Sequence, residues 1–482
     1  MALTIVGLGP GAAGLLTVAA LAQLKSAGTV YLRTSRHPVV DELPAGLKLI
    51  DFDDVYESGQ DFAGVYEEIA NRVAAAAGAG DVTYAVPGHP LFGEATVRRL
   101  LELVPDARII DGVSYLEPVS SYLRLDPLEL ALQLADALDL PVLDPARPAL
   151  VAQVYNQRAA SELKLAALRW YPPEHEVVVL QDMSLPTARR REVQLAELDR
   201  SSNFDHLTCV YLPALSLEAN TRTMGGLRDI VARLRAPDGC PWDREQTHQS
   251  LRSDLLEETY EVLAALDEGD PHQLAEELGD LLNQVFFHAQ LAAEAGDFEL
   301  EDVVEAIAAK LVRRHPHVFA GVEVSGTDEV LKNWEAIKRQ EKGDKEEIST
   351  LDRVPLTLPA LHQTSVVLER AGRSGFTWPG MEDVLEKLTE EVAELAEGRT
   401  DAEREDEFGD VLFNLVNAGR YLGVEAESAL RGSLAKFRRR FAALESIAAR
   451  DGLDFRQMSR EELLAAWAAA RRAADVPRPS AD

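Results

Sequence analysis

The sequence has little cysteine, a deficit of basic residues and no long apolar run, and each shortage excludes a class of protein. Its two cysteines, Cys209 and Cys240, cannot build a disulfide framework and lack the clustered spacing of a zinc site. Lys and Arg number 49 against 81 Asp and Glu, and the net charge of −32 argues against nucleic acids and anionic membranes as partners. No run of about 18 apolar residues is present, so no transmembrane helix is predicted. Together these shortages predict a protein of the reducing cytoplasm.

The 482 residues divide by pattern into an α/β part and a helical part. Residues 1–215 alternate β-like runs such as LTIVGLG, TVYLRT and HEVVVLQD with helical runs, which predicts a layered α/β domain with a largely parallel sheet. After about residue 220 the β-like runs stop, and amphipathic helices follow. The fold class expected is therefore a multidomain chain, α/β at its start and all-α after it.

The helical half repeats itself over a period of more than 100 residues, too long for a solenoid and typical of a duplicated domain. The segments LLEETYEVLAAL, EELGDLLNQVF and AKLVRR correspond in order to LTEEVAELAEG, DEFGDVLFNLVN and AKFRRR, and Trp334 and Trp467 follow the two sets. We expect helical domains at 224–342 and 358–475 with a charged connector at 341–358. The tail VPRPSAD is expected to be disordered.

Each copy carries two pairs of carboxylates, and the members of each pair are three residues apart on one predicted helix. A short turn between the two helices makes them antiparallel neighbours, which would bring the four acids together. Clustered carboxylates repel one another unless a cation lies among them, and oxygen-only ligands suit Mg²⁺ or Mn²⁺. The predicted metal ligands are Glu258, Glu261, Glu277 and Asp280 in the first copy, and Glu391, Glu394, Glu407 and Asp410 in the second.

A solvated helix face is the alternative for any single acidic pair. The repetition of both pairs, each beside a run of apolar residues, favours a metal site. The spacing from Glu261 to Glu277 is 16 residues and that from Glu394 to Glu407 is 13, a difference that we expect to fall in the turn.

Basic residues follow each acidic set, at Lys310, Arg313 and Arg314 and again at Lys436, Arg439 and Arg440. Arginine forks match phosphate oxygens and lysine supplies a point charge, so these residues are candidate phosphate ligands. A basic surface turn is the alternative for either cluster alone.

GCPWDREQTHQSL, EELGDLL, KLVRRHPHVF and NWEAIK resemble the MazG family of nucleoside triphosphate pyrophosphohydrolases, and residues 224–475 resemble a tandem pair of its domains. The resemblance implies an all-α, Mg²⁺-dependent fold that dimerises and cleaves nucleoside triphosphates to the monophosphate and pyrophosphate. The second copy has AAWAAARR in place of NWEAIK. Under this hypothesis Glu257 or Glu390 takes the proton of the attacking water, and the basic residues neutralise charge on the departing pyrophosphate.

The glycine-rich stretch VGLGPGAAGLLT follows a predicted strand and opens a helix. A generic glycine turn is the alternative to a nucleotide-like site, and the stretch is not the dinucleotide fingerprint. GLGPG, YAVPGHPLFGEA and DGVSYLEPV together resemble the tetrapyrrole methylase superfamily, which implies a two-lobed domain at 1–215 that binds S-adenosylmethionine between its lobes. The cofactor residues implied are Gly9, Pro10, Gly88, His89, Pro90 and Ser114.

The order of the domains resembles that of YabN-type fusion proteins. We expect a pyrophosphohydrolase that removes unwanted nucleoside triphosphates and forms a homodimer through its helical domains. One rival function is methyl transfer to a tetrapyrrole or another small acceptor, with the helical half as a dimerisation module. Another is a cofactor-binding sensor without catalysis. Ala12 and His89 differ from the usual methylase residues, which puts methyl transfer in question.

Overall fold

The structure is a computed structural model that describes residues 2–58, 62–201, 203–341, 349, 351–352 and 354–474. The chain folds as two compact units, Met1–Thr247 and His248–Asp482. The tail VPRPSAD, half of the predicted connector and the predicted boundaries at 342 and 475 lie outside the described residues. Within the described part, none of the helices combines the length and apolar character needed to span a membrane.

The first lobe of the first unit is a parallel sheet with helices on both faces. Its strands lie in the order β3-β2-β4-β1-β5, and all neighbours are parallel. Ile5 packs with Tyr84 on one face while Val6 packs with Ala20 on the other, so both faces of β1 are buried, as a central parallel strand requires. The elements are β1 Leu3–Gly7, α1 Val18–Ser26, β2 Thr29–Leu32, β3 Lys48–Asp51, α2 Asp53–Ser58, α3 Phe62–Ala79, β4 Val82–Val86, α4 Ala95–Leu103, β5 Arg108–Ile110 and α5 Leu116–Leu123.

The second lobe has its own five-stranded sheet in the order β6-β7-β10-β8-β9. Only β6 and β7 are parallel, so the expectation of a largely parallel sheet holds for the first lobe and is wrong for the second. One antiparallel pair is local, because β8 and β9 form a hairpin that needs no crossover helix, and β10 adds two more by lying between β7 and β8 antiparallel to both. The elements are β6 Gln133–Asp136, β7 Ala149–Ala152, α6 Gln157–Ala167, β8 Glu176–Gln181, β9 Arg189–Gln194, β10 Thr208–Leu212, α7 Met224–Arg235 and α8 Pro241–Glu245.

All the regular elements in the described part of the second unit are helices, which confirms the predicted fold class. Its elements are α9 Arg252–Glu268, α10 Pro271–Ala295, α11 Leu300–Arg314, α12 Pro316–Phe319, α13 Thr327–Glu341, α14 Ala360–Arg373, α15 Met381–Glu397, α16 Asp401–Leu422, α17 Ala426–Asp451 and α18 Arg460–Ala474. The division of this unit into two domains stays a prediction, and α7 and α8 of the predicted 224–342 domain belong to the first unit.

Short capped turns join the two helices of each acidic pair. Gly269 ends α9 in the left-handed conformation, and the Asp270 side chain accepts hydrogen bonds from the first amides of α10. In the second copy Thr400 forms a capping box with Glu403 at the start of α16. Both turns hold the helix pairs that carry the carboxylates.

The difference in spacing between the copies lies mainly in the first helix and not in the turn, so the expectation that it falls in the turn is wrong. Helix α9 continues from Glu261 to Glu268, whereas α15 continues from Glu394 only to Glu397. The extra length is about one helical turn, and therefore the acidic face keeps its direction.

Candidate functional sites

Three of the four predicted ligands converge in the first copy. One carboxylate oxygen each from Glu258, Glu261 and Glu277 lies within 4.8 Å of the other two. Burial raises the pKa of Glu258, and the charges of Asp280, Glu261 and Glu277 raise it further. Burial also raises the pKa of Glu277, with Glu261 as its largest charged neighbour. Proton affinity is raised here by the same concentration of negative charge that attracts a cation.

The second copy repeats this arrangement with Glu391, Glu394 and Glu407, whose ligand atoms also lie within 4.8 Å of one another. Glu391 is only 4% exposed, which is rare for a carboxylate and requires a compensating partner. Burial and then the charge of Glu394 raise the pKa of Glu407.

The fourth acid of each set lies outside these groups. The ligand atoms of Asp280 and Asp410 are not among those that lie within 4.8 Å of one another in the described part of the chain. Both lie near enough to act electrostatically, because the charge of Asp280 helps to raise the pKa of Glu258 and that of Asp410 helps to raise the pKa of Glu407. The donor set in each copy is therefore three close carboxylate oxygens with a fourth acid nearby, and an all-oxygen set fits a hard divalent cation.

An internal cation contacts the second acidic set. Lys387 Nζ lies 2.9 Å from Glu391 and 3.1 Å from Glu390, and these contacts raise the pKa of the lysine. The first copy has Asp254 at the corresponding position, three residues before Glu257. The two acidic sets therefore differ in local charge, although their acids match.

The two predicted bases differ in the same way. Glu257 and Glu390 are both exposed, but Glu390 is ion-paired with Lys387. The Lys387 ammonium occupies part of the Glu390 carboxylate, and a water molecule would have to share that carboxylate with it. The geometry at Glu257 is thus better suited to the role predicted for both.

Two of the basic residues in the first copy are bound to an acid that the sequence did not single out. Glu341 accepts from Arg313 at 2.6 Å and from Arg314 at 2.5 Å, and Arg314 followed by Arg313 lowers the pKa of Glu341 to about 2. The Arg314 guanidinium also lies 5.3 Å from the Trp334 ring centroid. Lys310 is exposed. The two arginines therefore join α11 to α13.

The second copy builds this region from apolar contacts. Trp467 packs on Phe437 with the ring centroids 5.5 Å apart, and Ala474 stands seven residues after Trp467, as Glu341 does after Trp334. Lys436 and Arg439 are exposed, and Arg440 is half-buried. The acid that binds the arginines of the first copy thus has no counterpart at this position.

A cavity of about 670 Å³ lies in the first unit at the carboxyl ends of the parallel strands. Four of the six predicted cofactor residues line it, namely Pro10, Gly88, His89 and Ser114, whereas Gly9 and Pro90 are not among its lining residues. Gly9 supports the lining residue Gly88, because Gly9 and Gly88 exchange backbone hydrogen bonds of 3.2 and 2.7 Å. Residues from both lobes line the cavity, including Met183 and Thr208 of the second.

Glycines allow the loops beside this cavity to approach closely. A Cβ on Gly112 would lie 2.2 Å from the Gly88 carbonyl oxygen and 2.8 Å from Gly7 Cα. Gly88 itself has a φ of +66°, a conformation that favours glycine. Gly7 of the glycine-rich stretch has the same role, because a Cβ there would lie 2.6 Å from the Gly88 carbonyl oxygen.

The sequence did not indicate a buried ion pair, Arg33 with Glu94, that lines another part of the cavity. Arg33 Nη1 lies 2.7 Å from Glu94 Oε1, and Arg33 Nε donates to Tyr56 Oη at 2.9 Å. Burial raises the pKa of Glu94, and Arg33 opposes this shift only in part. These residues are distant in sequence and follow different strands, so no spacing rule finds them. Lys387, in contrast, stands four residues before Glu391, a helical spacing that could have identified it.

Comparison with family models matches two separate parts of the chain. The model described as "Tetrapyrrole (Corrin/Porphyrin) Methylases" matches residues 2–199, and that described as "MazG nucleotide pyrophosphohydrolase domain" matches residues 246–319. The structure of uroporphyrin-III-C-methyltransferase from Thermus thermophilus covers 44% of this chain and 95% of its own, at 20% identity and a TM-score of 0.36.

Two relatives match larger shares of this chain than that structure does. The nucleoside triphosphate pyrophosphohydrolase/pyrophosphatase MazG of Thermotoga maritima is 44% identical over 245 residues, which is 51% of this chain and 94% of the relative. The Bacillus subtilis protein YabN is 41% identical over 477 residues, which is 96% of this chain and 97% of YabN. The chain therefore belongs to the YabN family, in which a tetrapyrrole methylase domain precedes a MazG nucleotide pyrophosphohydrolase region.

Proposed function

We propose that the helical unit hydrolyses nucleoside triphosphates to monophosphates and pyrophosphate, and thereby removes unwanted nucleotides in the cytoplasm. The observation that carries this proposal is the repeated convergence of three carboxylate oxygens within 4.8 Å on neighbouring helices. The name of the Thermotoga maritima relative supports the same reaction.

In this proposal Glu258, Glu261 and Glu277, with Asp280 nearby, hold Mg²⁺ or Mn²⁺ in the first copy. Glu391, Glu394, Glu407 and Asp410 do so in the second. The metal would offset the triphosphate charge and acidify a water molecule. Glu257, or Glu390 in the second copy, accepts the proton of that water. Lys310, Arg313 and Arg314, or Lys436, Arg439 and Arg440, stabilise the negative charge of the pyrophosphate that leaves.

The test is the double variant Glu258→Gln with Glu391→Gln, assayed by direct detection of pyrophosphate over a panel of nucleoside triphosphates with Mg²⁺ and chelator controls. Glutamine keeps the shape of glutamate and removes its charge, so a folded variant should lose at least 100-fold in metal-dependent turnover. The single variants then apportion the activity between the copies. Full activity in the double variant would exclude both acidic sets as the catalytic centre.

The cavity of the first unit favours a second function, the binding of S-adenosylmethionine. Pro10, Gly88, His89 and Ser114 line one cavity, and Gly9 and Pro90 adjoin these lining residues in the chain. Calorimetry with S-adenosylmethionine tests binding, and a methyl-transfer assay then separates a methyltransferase from a sensor. The pyrophosphohydrolase assay is independent of both results.

We also propose that the helical unit forms a homodimer. Apolar side chains are exposed on the helices that carry the acids, with Leu278 48%, Phe408 55% and Leu415 54% exposed. Apolar surface of this kind is stabilised when a partner covers it. Sedimentation equilibrium of the whole chain measures the state, and a concentration-independent monomer would contradict the proposal.

A further inference from the structure

The part of the cavity around Arg33 presents an unusual balance of charge. Arg33 is the cation there, and its side chain is 20% exposed. Its guanidinium binds Glu94 and Tyr56 and lies 5.8 Å from the Tyr66 ring centroid and 5.9 Å from that of Tyr56. Glu94 thus offsets its charge and Tyr56 accepts from its Nε, so the pair presents less net positive charge to a ligand than a free arginine would.

One oxygen of the buried Glu94 carboxylate has no hydrogen-bond partner among the described residues. The Glu94 side chain is 4% exposed, and Oε2 makes no hydrogen bond within the described part of the chain. His37, a second buried polar residue, is 2% exposed. Both residues line the cavity. Buried polar atoms are nearly always satisfied, so an unpartnered acceptor in a cavity wall points to a ligand that donates to it.

The formal charge of the described cavity lining as a whole is negative. Among the described residues that line the cavity are two arginines, Arg33 and Arg36, against four carboxylates. Arg36 is itself paired with Glu57. A ligand with several carboxylates would enter a site whose formal charge is already negative, at a cost in free energy.

We infer that the Arg33 end of the cavity is a subsite for a planar ligand group that is neutral or cationic and donates an N–H or O–H hydrogen bond to Glu94 Oε2. The aromatic rings of Tyr56, Tyr66 and Phe92 line the same cavity and suit a flat group. Glu94 is then a specificity-determining residue, because it both accepts from the ligand and neutralises Arg33. The inference rests on the proposed role of the cavity as a ligand site. It narrows the chemical class of the molecule that would bind there beside S-adenosylmethionine.

Three probes of one shape and different charge test this subsite: benzamidine, benzamide and benzoate. Dissociation constants are measured by saturation-transfer NMR on the whole chain for the wild type, Glu94→Gln and Asp182→Asn. The Asp182 variant is the matched control, because it removes one cavity carboxylate that is not paired with Arg33. Binding of S-adenosylhomocysteine is measured on the same samples.

In the wild type, benzamidine should bind at least about tenfold more tightly than benzoate, since a hydrogen bond to a charged group is worth roughly that factor. Glu94→Gln should reduce this ratio at least about tenfold, and Asp182→Asn should change it less than about threefold. Equal or tighter binding of benzoate to the wild type overturns the inference. An unchanged ratio in Glu94→Gln overturns it as well.

Folding and cofactor binding are separated from this result. If Glu94→Gln does not fold, the wild-type ratio alone decides, because benzoate and benzamidine share their shape. Discrimination without S-adenosylhomocysteine binding would support the subsite and refute the proposed cofactor role. The reverse result would refute the subsite and leave the cofactor role in place.

Discussion

Removal of Arg33 should destabilise the first unit far more than removal of a surface arginine in the same loop. In Arg33→Met the Glu94 carboxylate, 4% exposed and 2.7 Å from Arg33, keeps its burial and loses its counter-cation. Breaking a buried ion pair from one side costs about 3–5 kcal/mol. The matched control is Arg36→Met, whose ion pair with Glu57 is 67% and 68% exposed and is worth less than about 1 kcal/mol.

The assay is hydrogen exchange by mass spectrometry on the whole chain, followed in peptides that cover β1 and β4. At about 1.4 kcal/mol per tenfold change, Arg33→Met should accelerate global exchange of these strands by about two to four orders of magnitude at pH 8. Arg36→Met should accelerate it less than about tenfold.

The sign of the pH dependence provides a second check. Burial already holds the pKa of Glu94 above its ordinary value, and loss of Arg33 removes the one opposing influence. A folded-state pKa that is raised gives stability at pH values below the unfolded pKa, and this stability is lost as the pH rises through the folded pKa. The damage in Arg33→Met should therefore grow from pH 5 to pH 8. Equal exchange in the two arginine variants at pH 8 would refute the reasoning.

Three further perturbations follow from single contacts. Gly112→Ala places a Cβ 2.2 Å from the Gly88 carbonyl oxygen and should cost about 1–3 kcal/mol in calorimetry, whereas Gly28→Ala, with nothing within 4 Å, should cost almost none. The lowered pKa of Glu341 stabilises the helical unit above the unfolded pKa of this carboxyl, and the stabilisation is lost as the pH falls towards 2. Glu341→Gln should remove this contribution, so a melting temperature with the same pH dependence as the wild type from pH 7 to pH 3 would contradict the assignment. Lys387→Met should tighten Mg²⁺ binding at the second acidic set, measured by calorimetry in a Glu258→Gln background, and weaker binding would contradict the competition.

The elements that the sequence predicted best are those with strong local patterns. β1, β4 and β8 are buried and rich in Val, Ile or Leu, and the capped helices α10 and α16 begin beside the predicted turns. The strands that pattern reasoning missed are β3, β5, β6 and β9. These are short or polar, as in RRREVQ of β9, and their partners rather than their own composition place them in sheets.

The candidate sites divide along the same line. The i, i+3 spacing on neighbouring helices predicted that Glu258, Glu261 and Glu277 converge, because helix geometry and a short turn determine which helix faces carry these residues. Arg33 and Glu94 are joined only by the folded sheet, and Glu341 reaches Arg313 and Arg314 from another helix. Such partners depend on tertiary packing, for which the local sequence contains no periodic signal.

The two copies of the acidic site have the same acidic residues but differ in the oppositely charged residues that form ion pairs in and around them. In the first copy Arg313 and Arg314 are bound by Glu341, and Asp254 stands where the second copy has a lysine. In the second copy Lys387 contacts Glu391, and Ala474 stands where the first copy has Glu341. Under the proposed function, a phosphate ligand of the first copy therefore competes with Glu341 for Arg313 and Arg314, whereas a metal ion at the second copy competes with Lys387 for Glu391. Glu341→Gln should then improve nucleotide affinity only in the first copy, and Lys387→Met should improve metal affinity only in the second. The duplicated acids consequently do not make the two sites equivalent. A ligand of the first copy has to displace an anion, the Glu341 carboxylate, whereas a ligand of the second copy has to displace a cation, the Lys387 ammonium.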